Sequence, residues 1–309
     1  MNKYHFSTVV SNKYVFKVIV MHDSLTKHCR DFHLYALCVE EEAYEILSEM
    51  NWKNTTLIRL SEIEDSVLLK AKANRTHLEY CWTLKPAALK HVMNAYPEAE
   101  YFAHLDADLC FFSNIDVIFS EDPDASLLLT DHRNSVKFLY TYKLTGRFNT
   151  GFVACKNDTI GHTAVEWWKR KCLEWCYTDN NVKEKLFGDQ RYVERWERLF
   201  ENVHVIENIG ANTAFWNIDQ FSVSLKDGKA YIEDTKLVFY HFSGVYAYNP
   251  KEFNLTWFAP LQESVFEYIY KPYVWLLARA IEKVQKNRPD FSHGFTKRGD
   301  VPEKHYFHV

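Results

Sequence analysis

The chain has 309 residues, 47% hydrophobic and 25% charged, and its 37 basic and 41 acidic side chains leave a net charge of −4. That balance carries no global footprint for nucleic acid, and 9 Gly and 8 Pro exclude collagen-like and low-complexity chains. A chain this long buries a sizeable core, as one large α/β domain or one domain with an appendage. No apolar run approaches the roughly 18 residues of a membrane helix. Lys13 and Lys17 interrupt what would be the apolar core of a signal peptide, so a cytoplasmic location is expected. The seven cysteines are scattered, with no Cys-x-x-Cys, and read as reduced thiols rather than a disulfide framework. Phe, Tyr and Trp make 16% of the chain; rings fill cores and also stack on sugars and bases.

In chain order, His5 to Val10 is a short β-rich run and Tyr14 to His28 has helical spacing. Phe32 to Cys38 is strand-like, Glu40 to Met50 helical, and Thr56 to Leu60 strand-like again. This β-α-β-α-β order predicts a mixed, mostly parallel α/β sheet flanked by helices on both faces. Leu78 to Ala95 reads as a helix ended by Tyr96-Pro97. Strands are expected at Tyr101 to Leu105, Ala125 to Thr130, Gly151 to Cys155 and Lys236 to Phe242, and helices at Thr159 to Tyr177 and Gly188 to Leu199. After Tyr246 the composition changes: Glu263 to Gln285 looks helical and the tail from Lys286 is polar and loop-like. The economical division is residues 1–245 as a catalytic domain and 246–309 as a C-terminal helical appendage.

The sharpest local feature is Tyr101-Phe-Ala-His-Leu-Asp106-Ala107-Asp108, an apolar strand running into two acids separated by one small residue. Ligands of open α/β sheets bind outside the carboxyl ends of the strands, and residues i and i+2 of an extended segment project to one side. Two carboxylates so placed suit a divalent cation that neutralises a diphosphate; alternatively they end a strand and cap a turn. Three chemistries use such a pair. A dehalogenase-type phosphatase wants Thr or Val at the fifth position, where Cys110 stands, and a later strand-end acid pair that is missing. A nucleotidyltransferase wants a Gly-rich loop after its first strand, and Val10-Ser11-Asn12-Lys13-Tyr14 has no Gly. Metal-dependent transfer of a sugar from a nucleotide diphosphate is the third.

Five segments, in order, give the chain its resemblance to GT-A fold glycosyltransferases of the glycogenin and bacterial lipooligosaccharide galactosyltransferase group. Val10-Ser11-Asn12-Lys13-Tyr14 stands where that group binds the nucleotide base. Asp106-Ala107-Asp108 is similar to its metal motif, and Phe148-Asn149-Thr150-Gly151 to the segment lining its sugar and acceptor site. Gly188-Asp189-Gln190 resembles its Asp-Gln element beside the anomeric carbon, and His241-Phe242-Ser243-Gly244 its late His-(Tyr/Phe)-x-Gly, whose His is the third protein ligand of manganese. Val245-Tyr246-Ala247-Tyr248 stands where the group has Lys-Pro-Trp.

The resemblance implies a GT-A (Rossmann-like) fold and a glycosyltransferase taking a nucleotide-diphospho-sugar, a UDP-sugar first, to a glycan or lipid-linked glycan acceptor with retention of configuration. It implies Asp106, Asp108 and His241 as ligands of Mn2+, with Mg2+ as the second choice, and Asp189, Gln190 and Asn149 as catalytic residues. Donor contacts would come from Ser11, Asn12, Tyr14, Arg75, Lys85, Asp106, Ala107, Asp108, Gly151 and Gly244. Taken singly, each residue has a plainer role. Tyr14 stacks on a base or packs a helix start. Arg75 and Lys85 balance diphosphate charge or are solvated. Asn149 and Asp189 meet sugar hydroxyls or cap local turns, and His241 binds metal or ends a strand. A second class of function also fits the sequence, a non-catalytic sugar-nucleotide or glycan-binding module on the same fold. Tyr268 to Arg279, mixing rings, aliphatics and basic residues, suits either peripheral contact with a membrane interface or docking on the catalytic domain.

Overall fold

The computed structural model describes residues 2–179, 181–258 and 260–309. The chain folds as two compact units that share it in alternation: Met1–Ser11, Arg30–Asp106 and Asp116–Glu207 form the first, and Asn12–Cys29, Ala107–Ile115 and Asn208–Val309 the second.

The early strands are β1 (Tyr4–Val10), β2 (Phe32–Cys38), β3 (Thr55–Arg59), β4 (Tyr101–Leu105), β5 (Leu109–Phe111), β6 (Leu127–Asp131), β7 (Phe148–Lys156) and β8 (Val203–Val205). All but β5 belong to the first unit, in one seven-stranded sheet of order β3-β2-β1-β4-β7-β6-β8. β1 runs parallel to β2 and β4, β2 to β3, and β6 to β8, whereas β7 is antiparallel to both its neighbours. The mixed, mostly parallel sheet expected from the sequence is therefore the sheet observed. Its central strands are buried along nearly their whole length, and β1, β4 and β7 carry no charged residue before Lys156.

The helix His77–Ala95 packs on the helix Thr159–Glu174 and on β1. It opens with a capping box: the Thr76 hydroxyl accepts from the Glu79 amide while the Glu79 carboxylate accepts from the Thr76 amide. Burial acts to raise the Glu79 pKa, but four hydrogen bonds from Thr178 and Thr76 hold it down to about 2. The single helix expected over Gly188 to Leu199 is two short ones, Gln190–Val193 and Trp196–Leu199. Trp196 and Tyr192 are thereby both buried.

The second unit is built from short pieces. β5 pairs antiparallel with Phe239–His241, which pairs parallel with Thr213–Ala214. Val223–Lys226, Lys229–Ile232 and Thr235–Lys236 make a second sheet, and Tyr246–Ala247, Glu252–Asn254 and Tyr306–His308 a third. The tail, expected as loop, thus contributes a strand, and it carries Phe291 and Phe295 onto the ring of Phe16. The helix Lys271–Asn287 buries Tyr273, Val274, Leu277, Ile281 and Val284 and packs against the helix Val15–His28. Tyr273 stacks on Phe242, ring centroids 3.5 Å apart. Its apolar stripe is consumed in packing, with Trp275 and Leu276 left outside. Among the described residues no helix is long and apolar enough to cross a membrane.

Candidate active site

In the first unit, β4 delivers Asp106 past its last residue, and the Asp106 amide donates to the Gly151 carbonyl of β7 at 2.8 Å. Strand alternation puts His104 and Asp106 on one side, and His104 Nε2 lies 3.1 Å from Asp106 Oδ1. Burial lowers the His104 pKa against the pull of Asp106, which favours a neutral ring. Lys85, on the buried face of the helix His77–Ala95, brings Nζ to 2.7 Å from Asp106 Oδ1 and 3.8 Å from Asp189 Oδ2. Asp106 and Asp189 thus share one ammonium. Asp189 is buried, and burial drives its pKa up against Lys85 and a hydrogen bond from Thr150. Its Oδ2 receives no hydrogen bond among the described residues. Such an oxygen is costly to bury without a donor and is open to a ligand hydroxyl.

A register break shapes the neighbouring wall. Opposite β6, Leu129 pairs with Val153 but Thr130 pairs with Asn149, so residues 150–152 of β7 bulge outward. The Thr130 hydroxyl spans the bulge, 3.0 Å from the Asn149 carbonyl and 3.2 Å from that of Phe152. Bulges re-aim side chains beside active sites. Here Asn149 Nδ2 faces Gln190 Oε1 at 3.3 Å, and Asn149 Oδ1 accepts from the Gly151 amide at 2.9 Å. Gln190 Nε2 donates to the Thr145 carbonyl at 2.6 Å. Trp168 Nε1 donates to the Asp189 carbonyl at 2.8 Å and pins the start of that segment. Ser11 is buried at the end of β1. Arg75 is engaged elsewhere: its guanidinium donates to the Cys172 and Leu173 carbonyls and lies over the Tyr177 ring.

In the second unit, Ala107 and Asp108 are buried, and Asp108 Oδ1 lies 3.1 Å from His241 Nε2. Pairing of β5 with Phe239–His241 sets this contact, because His241 stands opposite Leu109 and the Asp108 carbonyl accepts from the Phe242 amide. The Trp216 ring meets His241 edge-on at 5.3 Å. Lys17 Nζ stands 3.8 Å from Asp108 Oδ2 and 4.9 Å from the centre of the Tyr14 ring. Burial lowers the Lys17 pKa and Asp108 opposes the shift. Asn12 and Tyr14 form the turn that leads into that helix. Gly244 has φ +83°, and a Cβ there would lie 2.8 Å from Trp257 Nε1, so both backbone and space call for glycine.

Asp106, Asp108 and His241 each offer a ligand atom, all within 4.8 Å of one another. Two carboxylate oxygens and one ring nitrogen fit a divalent cation of the Mn2+ or Mg2+ kind. Among the described residues this is the one group of three or more such side chains that does so. A cavity of about 810 Å³ lined by Lys90, Asn157, Asp158, His162, Glu166 and Arg170 includes none of these residues and gathers no comparable donor set. Two side chains beyond the expected site residues stand beside the acids: Lys17 by Asp108 and His104 by Asp106. Lys17 breaks an apolar run within a helix, and His104 precedes Asp106 by one strand period; both were signals available for use.

No protein-family model matches the chain. It is 50% identical to the uncharacterized protein YfnD of Bacillus subtilis (strain 168) over 310 residues, covering 100% of both chains. It is 33% identical to the uncharacterized protein YfnF of the same organism, covering 96% of this chain and 98% of YfnF. Among solved structures, the galactosyltransferase LgtC in complex with donor and acceptor sugar analogs matches with TM-score 0.54 at 12% identity, over 89% of this chain and 95% of LgtC. The bifunctional glycosyltransferase WbbM matches with TM-score 0.54 at 11% identity, over 94% of this chain and 52% of WbbM. At such identities the likeness is one of fold, and the fold is GT-A.

Proposed function

We propose that this chain, which belongs to the family of the Bacillus subtilis proteins YfnD and YfnF and is built on the GT-A fold, is a metal-dependent glycosyltransferase. Its donor is a nucleotide-diphospho-sugar, a UDP-sugar first, and its acceptor a hydroxyl of a glycan or lipid-linked glycan. The observation that carries this reading is the approach of His241 to Asp108, 3.1 Å apart, beside Asp106. Asp106, Asp108 and His241 would hold the cation, which when bound takes up charge on the departing diphosphate.

The chain's own groups supply the rest. Tyr14 offers a ring face for the base, and Ser11 and Asn12 the polar contacts beside it. Lys85 sets the charge of Asp106 and Asp189 from one point, and so helps place the donor's charged and sugar ends together. Asp189 Oδ2, buried and without a hydrogen-bond donor, accepts from a hydroxyl of the donor sugar. Asn149 and Gln190, locked to each other, orient the anomeric carbon and soften the positive charge that develops on it. The sequence offers no evident nucleophile, so the proposed route is attack on the face the diphosphate leaves, with retention.

The test is a panel of UDP-glucose, UDP-galactose, UDP-N-acetylglucosamine, GDP-mannose and dTDP-rhamnose, scored for release of nucleoside diphosphate with and without Mn2+. Release from at least one donor that needs Mn2+ and vanishes in Asp108→Ala is expected. Binding of donors without any turnover would instead favour a binding module, and an inverted product by NMR would remove the claim of retention.

A further inference from the structure

We propose that His132 is a positioning residue for the Asn149–Gln190 pair and that it acts as the tautomer protonated at Nδ1. The inference rests on the reading of Asn149 and Gln190 as residues of the sugar site, and it concerns a side chain that the sequence pattern did not mark.

The ring is fixed from one end. The His132 backbone amide donates to the Arg147 carbonyl at 2.9 Å, and His132 Nδ1 lies 3.0 Å from the same oxygen. A carbonyl only accepts, so both of its lone pairs face donors and Nδ1 carries the hydrogen. In the neutral ring Nε2 is then bare and accepts. What faces it, at 3.4 Å, is Asn149 Nδ2. The far end is fixed in the same way. Gln190 Nε2 donates to the Thr145 carbonyl, which leaves Gln190 Oε1 to accept from Asn149 Nδ2. Between the two ends, the Gly151 amide only donates, so the Asn149 oxygen must face it.

Every link therefore has one possible direction. The Arg147 carbonyl sets the imidazole, the imidazole and Gln190 each take one hydrogen of the Asn149 amide, and the Thr145 carbonyl sets Gln190. Backbone groups at three points decide the orientation of two side-chain amides that, left alone, would flip freely. His132 and Asn149 are both buried, which raises the cost of a wrong flip. The bulge sets their face: the shifted register pairs Asn149 with Thr130, and His132, two positions on, projects to the same side and lies diagonally across from Asn149. A donor in place of the bare Nε2 would push the Asn149 amide to turn, and its oxygen would leave the Gly151 amide.

Three variants separate positioning from bulk. His132→Phe keeps a ring and removes both nitrogens. His132→Asn keeps a donor where Nδ1 stands, and His132→Gln keeps an acceptor where Nε2 stands. On the best donor of the panel above, His132→Phe is expected to lower kcat about 10- to 100-fold with KM for the donor changed less than about twofold. His132→Gln is expected to recover most of the loss and His132→Asn little of it. Equal effects of all three, recovery by Asn alone, or an unimpaired Phe variant would overturn the proposal.

A second measurement needs no donor. Nitrogen-15 shifts of the wild-type ring are expected to show hydrogen on Nδ1 and a bare Nε2, and the Asn149 side-chain amide signal should move in His132→Phe and return in His132→Gln. Hydrogen on Nε2 would overturn the proposal whatever the kinetics show. A bare Nε2 in a chain that turns over no donor would uphold the relay while defeating the transferase reading.

Discussion

The end of β4 and the start of β5 each carry one carboxylate, and the two are satisfied in different ways. Asp106 keeps 20% of its side chain exposed and is met by Lys85 within 3 Å, with His104 behind it. Asp108 is 7% exposed, is met by His241 at 3.1 Å, and has its ammonium, Lys17, farther away at 3.8 Å. Lys85 also serves Asp189, so it keeps a partner whichever acid is lost. Lys17, 15% exposed, meets Asp108 at 3.8 Å, and among the described residues no second acid lies within ion-pair distance of it. One acid can be spared by the fold and used by chemistry; the other is needed by both. An electrostatic site can thus place two like charges two residues apart and give them unequal structural weight.

The largest expected effect breaks that contrast directly. Asp106→Ala and Asp108→Ala should both lower Mn2+-dependent donor hydrolysis by about 1,000-fold. Their stabilities should part. Asp108→Ala leaves the partly covered Lys17 without its acid and removes the partner of His241, and is expected to lose about 2 kcal/mol in urea unfolding. Asp106→Ala, at a partly exposed position with Lys85 still paired, should lose about 1 kcal/mol. Equal losses would show that the single pairing of Lys17 is not the difference.

Asp189→Asn sharpens the comparison from the other side. Burial raises the pKa of Asp189, so its ionised form costs the fold stability. The native state holds that proton more tightly than the unfolded chain. The cost is therefore absent below the unfolded carboxyl pKa, grows as pH rises towards the folded value, and is full above it. Near neutral pH, Asp189→Asn should raise the thermal midpoint by about 2–4 °C for a chain of this size while lowering turnover about 100-fold. A variant both active and less stable would contradict this. The smallest effect is at Gly244→Ala, where φ +83° and the 2.8 Å approach of Trp257 Nε1 should together cost about 1–2 kcal/mol. Adding Trp257→Leu should return only the part due to crowding.

The same contrast between units explains what could be read in advance. β1, β2, β4 and β7 are buried and several residues long, so their aromatic and β-branched stretches, free of acids, stand out in the sequence. β5 has three residues and Thr213–Ala214 two, too few to display a period, and the partner of β5 arrives more than a hundred positions later. The hairpin Val223–Lys226 with Lys229–Ile232 has an exposed face and a polar turn, and blends with loop. The acid pair could be named from its two-residue spacing at a strand end, whereas the late histidine was named through the resemblance of His241-Phe242-Ser243-Gly244. Lys85 was open between ligand contact and solvated charge because its burial depends on Asp106 and Asp189, which are distant in sequence. His132 gave no signal, since its role arises from the register break in β7 and not from any motif.

The measurement closest to the central claim is pulsed EPR of Mn2+ added to the protein with UDP. The account predicts one bound ion with nitrogen coupling from a histidine ring, lost in His241→Ala, and no tight ion in Asp108→Ala. Unchanged nitrogen coupling in His241→Ala, or Mn2+ binding indifferent to both substitutions, would contradict it.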